Sequence, residues 1–357
     1  MRSPAADAMS ELRPASPVAS LSPLFPPFAL GIFIASVAGA AALVNCALVA
    51  VLIKRIKNGV CSLIAQLAVA DLMVLFTTVG FELWTTNEQT WVFGRGTCIA
   101  YRGLSVFATT ASIYLVATIA FHTLATINLE KNLVTRRIRN TIVSEDELRS
   151  SRHSLVTKSD SSTPPRTMNV HYRFSDKVPI TPPSLFIWFL SASLSIPEFA
   201  MATTVRKDHN ATLCTLTDSS HKLSIRLMLA LFNFVLPTLI MTAAGVLVAY
   251  TIRSKSLRNI DFEESLSALR LSISFIIVYF IMCSPSSLLY VYRIYTTYKI
   301  DGEKNDLNEE RIFLHINLIF SSLYLTSTLL RPLLCIFLLP KIKIKFFGLR
   351  NTTVDDV

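Results

Sequence analysis

Apolar positions along this chain run in long blocks instead of alternating with polar ones. Seven such blocks stand out, at about residues 28–53, 60–84, 97–129, 182–204, 224–252, 267–295 and 312–338. Each is roughly 20 residues or longer, the length a helix needs to cross the hydrocarbon core of a bilayer. Buried helices of a soluble bundle would keep a polar face, and these blocks lack one. The pattern predicts an all-α membrane protein, a seven-transmembrane helix bundle forming one domain. Composition agrees, because a chain of 357 residues with 52% hydrophobic and only 16% charged residues is too apolar for a soluble protein of this length.

Charge sets the orientation. Lys54, Arg55 and Lys57 follow the first block, and a dense basic run from Lys131 to Lys177 follows the third. Arg253, Lys255 and Arg258 follow the fifth, and Lys341, Lys343 and Lys345 follow the seventh. With alternating crossings these clusters share one side, so the positive-inside rule places the N-terminus outside the cell. The net charge of +10 then faces anionic membrane lipids, and nucleic acid is not expected as a partner. Three regions follow: a proline-rich, disordered extracellular tail (1–27), a helical domain (28–347) and a cytoplasmic tail (348–357). Within the domain, the long inner loop 131–181 reads as disordered from its polar, serine-rich composition. Its serines beside Arg149, Arg152 and Lys158 are candidates for phosphorylation, and the alternative is a solvated linker resting on lipid headgroups. The stretch from Lys341 to Phe347, after Pro340, predicts a short amphipathic helix on the inner leaflet. Asn210-Ala-Thr212 forms an outer glycosylation sequon.

A few polar residues interrupt the apolar blocks. Asn45 in the first is of the kind that hydrogen-bonds a neighbouring helix. Asp71 in the second is costly at that depth and is by default functional. Leu67-Ala68-x-x-Asp71, followed in register by Trp91-x-Phe93-Gly94 and Cys98, resembles the second helix, first outer loop and third-helix cysteine of the rhodopsin-like (class A) G-protein-coupled receptors. Trp188, Cys214, Pro237, Pro285 and Pro332 extend the likeness over about residues 28–347. The resemblance implies a Cys98–Cys214 disulfide on the outer side, where such bonds persist. Cys46, Cys61, Cys283 and Cys335 read as packing residues. It also implies that Asn45 packs against Asp71, and that Ser112 belongs to a sodium site beside that aspartate.

Other positions depart from the family's pattern. Ser105 stands where amine receptors carry an aspartate. His122, Thr123 and Leu124 replace the acid, arginine and tyrosine that contact the transducer, and threonine supplies neither their reach nor their charge. The sixth helix has Cys283 before Pro285 where a tryptophan is usual, and the seventh has Arg331 before Pro332 in place of asparagine. Arg331 is expected to pair with Asp71 and replace sodium, with Asn45, Ser112 and Ser327 as polar neighbours; the alternative is that it snorkels to the inner headgroups.

These features imply a plasma-membrane receptor that binds an extracellular ligand and signals to a heterotrimeric G protein, with arrestin as a further partner. The changed residues 122–124 support an alternative, a non-coupling decoy or scaffold. Glu82, Arg102, Ser105, Thr109, Arg226 and Arg293 lie towards the outer ends. Three arginines around one mouth would favour an anionic ligand group, and a peptide is the first expectation, a lipid or small carboxylic acid the second. The scattered histidines lack the partners of a metal or nucleophilic site, so no enzyme activity, metal or cofactor is expected.

Overall fold

The computed structural model describes residues 23–53, 59–88, 90–153, 178–208, 211–217, 219–253, 263–299 and 307–346. Most of the outer tail, Lys54, Arg55, Lys57, residues 154–177, the sequon at Asn210, Lys255, Arg258 and the cytoplasmic tail lie outside them.

Seven helices are long and apolar enough to cross a membrane. They are α1 (Pro27–Ile53), α2 (Gly59–Glu88), α3 (Arg95–His153), α4 (Thr181–Met201), α5 (219–253), α6 (263–299) and α7 (Leu307–Leu338). A short α8 (Pro340–Phe346) follows, with Ile342 buried against the bundle and Lys343 exposed. Between α4 and α5 the chain forms an antiparallel hairpin of β1 (Ala202–Asp208) and β2 (Ala211–Leu216). The crossing part of α3 is the most buried of the seven spans. Large apolar side chains such as Phe28, Leu43, Phe189, Leu239 and Ile281 are left exposed on the rim, as a lipid-facing surface requires.

The hairpin is fixed to the top of the bundle. Cys98, at the start of α3, is disulfide-bonded to Cys214 of β2. The Trp91 backbone N–H donates to the Thr212 carbonyl at 2.6 Å, and its indole N–H donates to the Gly94 carbonyl at 2.8 Å. Gly94 has φ +83°, a left-handed conformation that disfavours any side chain, which accounts for glycine in the Trp-x-Phe-Gly turn.

Three helices contain a single π-helical turn: Thr78–Leu83 in α2, Leu231–Val235 in α5 and Tyr279–Cys283 in α6. The last two each precede a proline, Pro237 and Pro285, which cannot donate into the helix ladder. In the widened turn of α5 the Phe232 carbonyl would look to residue 237 for its donor and finds proline. The Tyr114 hydroxyl from α3 donates to it instead, at 2.8 Å. A proline in α5 and a tyrosine in α3 thus solve one hydrogen-bonding problem together.

Three expectations need correction. Residues 131–153, read as disordered, continue α3 as helix. No glycine or proline occurs between Gly103 and Pro164, so nothing in the chain terminates the helix there. The outer tail was drawn too long. Asn87 accepts from the Phe25 N–H at 2.8 Å and donates to its carbonyl at 3.3 Å, while Leu24 is buried beside Leu83 and Leu318. Cys46 is exposed on α1, so it packs against no core, unlike buried Cys283 and Cys335.

Gly103 marks a close approach of α3 and α4, where an added Cβ would run into the ring of Phe199. Gly103→Ala is expected to lower the stability of the fold by about 1–3 kcal/mol, the usual cost of overpacking. Phe199→Ala in the same chain should return most of it. Thermal unfolding of both purified variants checks this, and a Gly103→Ala loss that Phe199→Ala leaves in place would refute the contact.

Candidate functional site

The outer half of the bundle encloses a cavity of about 240 Å³. All three π-helical turns contribute to its wall, through Glu82, Asn233 with Phe234, and Cys283. Such turns rotate the following side chains out of the ordinary helical register, and they are common at binding sites. Tyr101, Arg102, Ser105 and Thr109 line the cavity from α3, Glu198 from α4 and Tyr290 from α6. Asn317, Ser321 and Tyr324 line it from α7.

Two carboxylates in this wall have different partners. Glu198 is taken by Arg102, which donates from Nε at 2.7 Å and from Nη2 at 2.9 Å. The Glu198 side chain is 1% exposed and that of Arg102 29%, so the pair is bidentate with its carboxylate buried. Glu82 instead accepts from the Ser321 hydroxyl at 2.9 Å. Lower down, the Tyr324 hydroxyl approaches Thr109 Oγ1 at 3.4 Å, and Thr110 donates to Asn233 Oδ1 at 2.8 Å.

The expected cluster of three arginines does not form in this cavity. Arg102 is engaged by Glu198. Arg293 lies over the Phe313 ring, 4.5 Å from its centroid. Arg226 is outside the lining, although its charge acts on Arg102, Arg293, Glu198 and Tyr290. Of the three, Arg102 is neutralised by a partner on another helix, while Arg226 and Arg293 stay outside the lining.

Beneath the cavity is a polar core built around Arg331. Its side chain is 2% exposed, and Nη1 donates to Asp71 Oδ1 at 2.6 Å and to Ser112 Oγ at 2.5 Å. Nη2 donates to Cys283 Sγ at 3.1 Å. Ser112 donates to the same Asp71 oxygen at 2.8 Å, and Cys283 faces the Ser327 hydroxyl at 3.6 Å. Arg331 thus ties α7 to α2, α3 and α6, and it does not extend to the inner headgroups. Asn45 is one step removed. Its amide donates to the Ala41 carbonyl at 2.9 Å and to the Thr328 carbonyl at 3.0 Å, joining α1 to α7 beside the pair. Pro332, next to Arg331, is buried within α7, and Pro285 follows the α6 turn that carries Cys283.

The inner end is closed among the described residues. Thr123 is buried, bonded to the Ile119 carbonyl at 2.8 Å, and it accepts from Ser272 of α6 at 3.4 Å. Leu124 packs with Ile127, Val248 and Leu269, drawing together α3, α5 and α6. His122 is buried against Gly59 of α2, where an added Cβ would meet its ring. None of the three offers an exposed surface in this conformation, and α3, α5 and α6 meet here through apolar and hydroxyl groups.

Sequence reasoning placed Glu198 among the charges at the outer ends but assigned no site role to Ser321, Tyr290, Asn233 or Gln66. Gln66 of α2 accepts from the Trp188 indole at 2.9 Å and from Ser184 at 2.5 Å, which joins α2 to α4. One signal was available. Ser321, Tyr324, Thr328 and Arg331 recur at helical spacing and form a buried polar stripe on α7, in line with both cavity and core.

A sequence profile for a family described as "7 transmembrane receptor (rhodopsin family)" matches residues 44–127 and 169–334, well over half of the chain. No curated protein matches it as a relative.

Proposed function

Because this chain belongs to the rhodopsin family of seven-transmembrane receptors, we propose that it binds an extracellular ligand in the outer cavity and passes the event to a heterotrimeric G protein. It is a multi-pass membrane receptor and not an enzyme. We place it at the plasma membrane with its N-terminus outside, as the basic inner segments require. One observation carries the proposal. Cys283 lines the cavity and is also held by Arg331 of the polar core, so the floor of the binding site and the central ion pair share a side chain. A ligand that moves the Cys283 turn would change the contacts joining α6 to α7, and the closed inner ends of α3, α5 and α6 are the element to be opened. A peptide whose end enters the cavity remains the first ligand reading.

The buried state of Thr123 and Leu124 supports a second reading, a receptor-like decoy or scaffold whose inner end stays shut. Agonist-independent G-protein activation, measured across the α-subunit classes at matched surface expression, separates the two. Wild type should be compared with Leu269→Arg, which places a charge in the apolar inner cluster. A signalling receptor is expected to show basal activation of at least one class, rising several-fold in the variant. A variant that reaches the surface and stays silent with every class supports the decoy.

A further inference from the structure

We propose that the cavity receives a positively charged group of its ligand, an ammonium or guanidinium, and that Glu82 is the residue that holds it. This rests on the reading of the cavity as the ligand site and adds the chemistry that site selects.

Among the described residues lining the cavity, the carboxylates are Glu82 and Glu198 and the basic side chain is Arg102. Arg102 and Glu198 satisfy each other through two short hydrogen bonds, 2.7 and 2.9 Å, and Glu198 is sealed from its surroundings. A bidentate pair of this kind is closed on itself, and recruiting either member for a ligand means breaking charge-assisted bonds. Glu82 has no such partner. The group bonded to it is the neutral Ser321 hydroxyl, and the cation whose charge reaches it is Arg102, already committed. The lining therefore carries an excess of one carboxylate, Glu82. An acid in a membrane-embedded wall with only a hydroxyl partner is completed by a cation from the ligand.

Shape and lining point the same way. Tyr101, Tyr290, Tyr324 and Phe234 supply aromatic rings around the space, and aromatic faces attract ammonium and guanidinium groups. An anion entering here would meet Glu82 and would have to displace Glu198 from Arg102. Arg226 and Arg293 lie outside the lining. A cavity of about 240 Å³ has room for a small amine or for the basic end of a peptide.

The test uses the full-length receptor in lipid nanodiscs and reads thermal stabilisation by probes that share a skeleton and differ in charge. These are 4-phenylbutylamine, 4-phenylbutylguanidine, 4-phenylbutanol and 4-phenylbutyrate, with Phe-Ala-amide carrying a free or an acetylated N-terminus to separate a small amine from a peptide end. The amine, the guanidine or the free-terminus peptide is expected to stabilise the receptor, and the acid is not. Glu82→Gln, which keeps the acceptor facing Ser321, should weaken the cationic probe about 10- to 100-fold, as losing a charge-assisted bond implies. Glu82→Asp should retain part of the affinity. Asn317→Trp, which fills the cavity, should abolish binding of every probe. If the acid or alcohol binds best, or Glu82→Gln leaves the amine unaffected while Asn317→Trp still blocks it, the cavity is a ligand site and the cation proposal is wrong. Binding that survives Asn317→Trp, or no stabilisation by any probe, overturns the cavity reading itself and this proposal with it.

Discussion

Arg331→Met is expected to remove most folded receptor from the cell surface. The substitution keeps much of the side-chain volume and deletes the guanidinium, leaving Asp71 as an uncompensated carboxylate 1% exposed in the bundle centre. Breaking a buried pair by removing one member costs about 3–5 kcal/mol, a large share of the stability of any domain. Asp71→Leu should do the same from the other side, stranding Arg331. The double variant Asp71→Leu/Arg331→Met is expected to recover most of the surface expression. The pair spends much of its attraction on desolvation, and Asp71 Oδ2 and Arg331 Nε are buried without a protein hydrogen bond. What the double variant should not recover is regulation, because Cys283 loses its donor along with the pair. Quantitative surface labelling of the four receptors, wild type included, decides the matter. Additive losses in the double variant would mean that the two residues act independently. A second check is charge reversal: Asp71→Arg/Arg331→Asp should express better than either single change.

Losing the disulfide should have an effect of similar size by a different route. Cys98 and Cys214 are 116 residues apart in the chain, and their bond pins the β1–β2 hairpin to the head of α3. Removing a native disulfide commonly costs about 2–5 kcal/mol. Cys98→Ala is therefore expected to lower the unfolding temperature and to reduce surface expression several-fold. The free Cys214 thiol would add mispairing, so Cys98→Ala/Cys214→Ala should express somewhat better than the single variant while remaining well below wild type. The local hydrogen bonds from Trp91 to Thr212 and Gly94 are not expected to hold the hairpin alone. A double variant with wild-type stability would show that they do.

The two predictions probe features that were not equally legible. The disulfide needed only two cysteines on the outer side and a family pattern, because its partners are defined by chemistry. The Asp71–Arg331 pair was accessible for a related reason. A permanent cation and a carboxylate in hydrocarbon have few alternatives to each other, and the family resemblance implies that the residue before Pro332 lies near the second-helix aspartate, as it does. Arg102 shows the opposite case. With Arg226 and Arg293 it suggested a cationic mouth, whereas Glu198 on another helix neutralises it. Nothing in the spacing of either residue says that the α3 and α4 faces meet there, at the approach that Gly103 permits.

What the sequence by itself determined is whatever follows from the solvent and the backbone. Uninterrupted apolar blocks must be helices that cross a bilayer, since lipid offers no hydrogen bonds to an open backbone. The alternation of basic segments then gives their expected orientation, and Asp71 and Arg331 could be recognised because buried charge is costly at any position. Only the tertiary structure decided which polar groups share a partner: Glu82 with Ser321, Arg102 with Glu198, Phe232 with Tyr114, Phe25 with Asn87. The first three depend on how far one helix is rotated against another, and the π-helical turns of α2 and α5 shift that rotation for Glu82 and Phe232. The hydrophobic pattern does not encode such a shift, because outside the polar stripe of α7 the apolar blocks carry few polar residues to mark an inner side. For that reason the helices could be counted from the sequence, while the charge of the cavity between them could not.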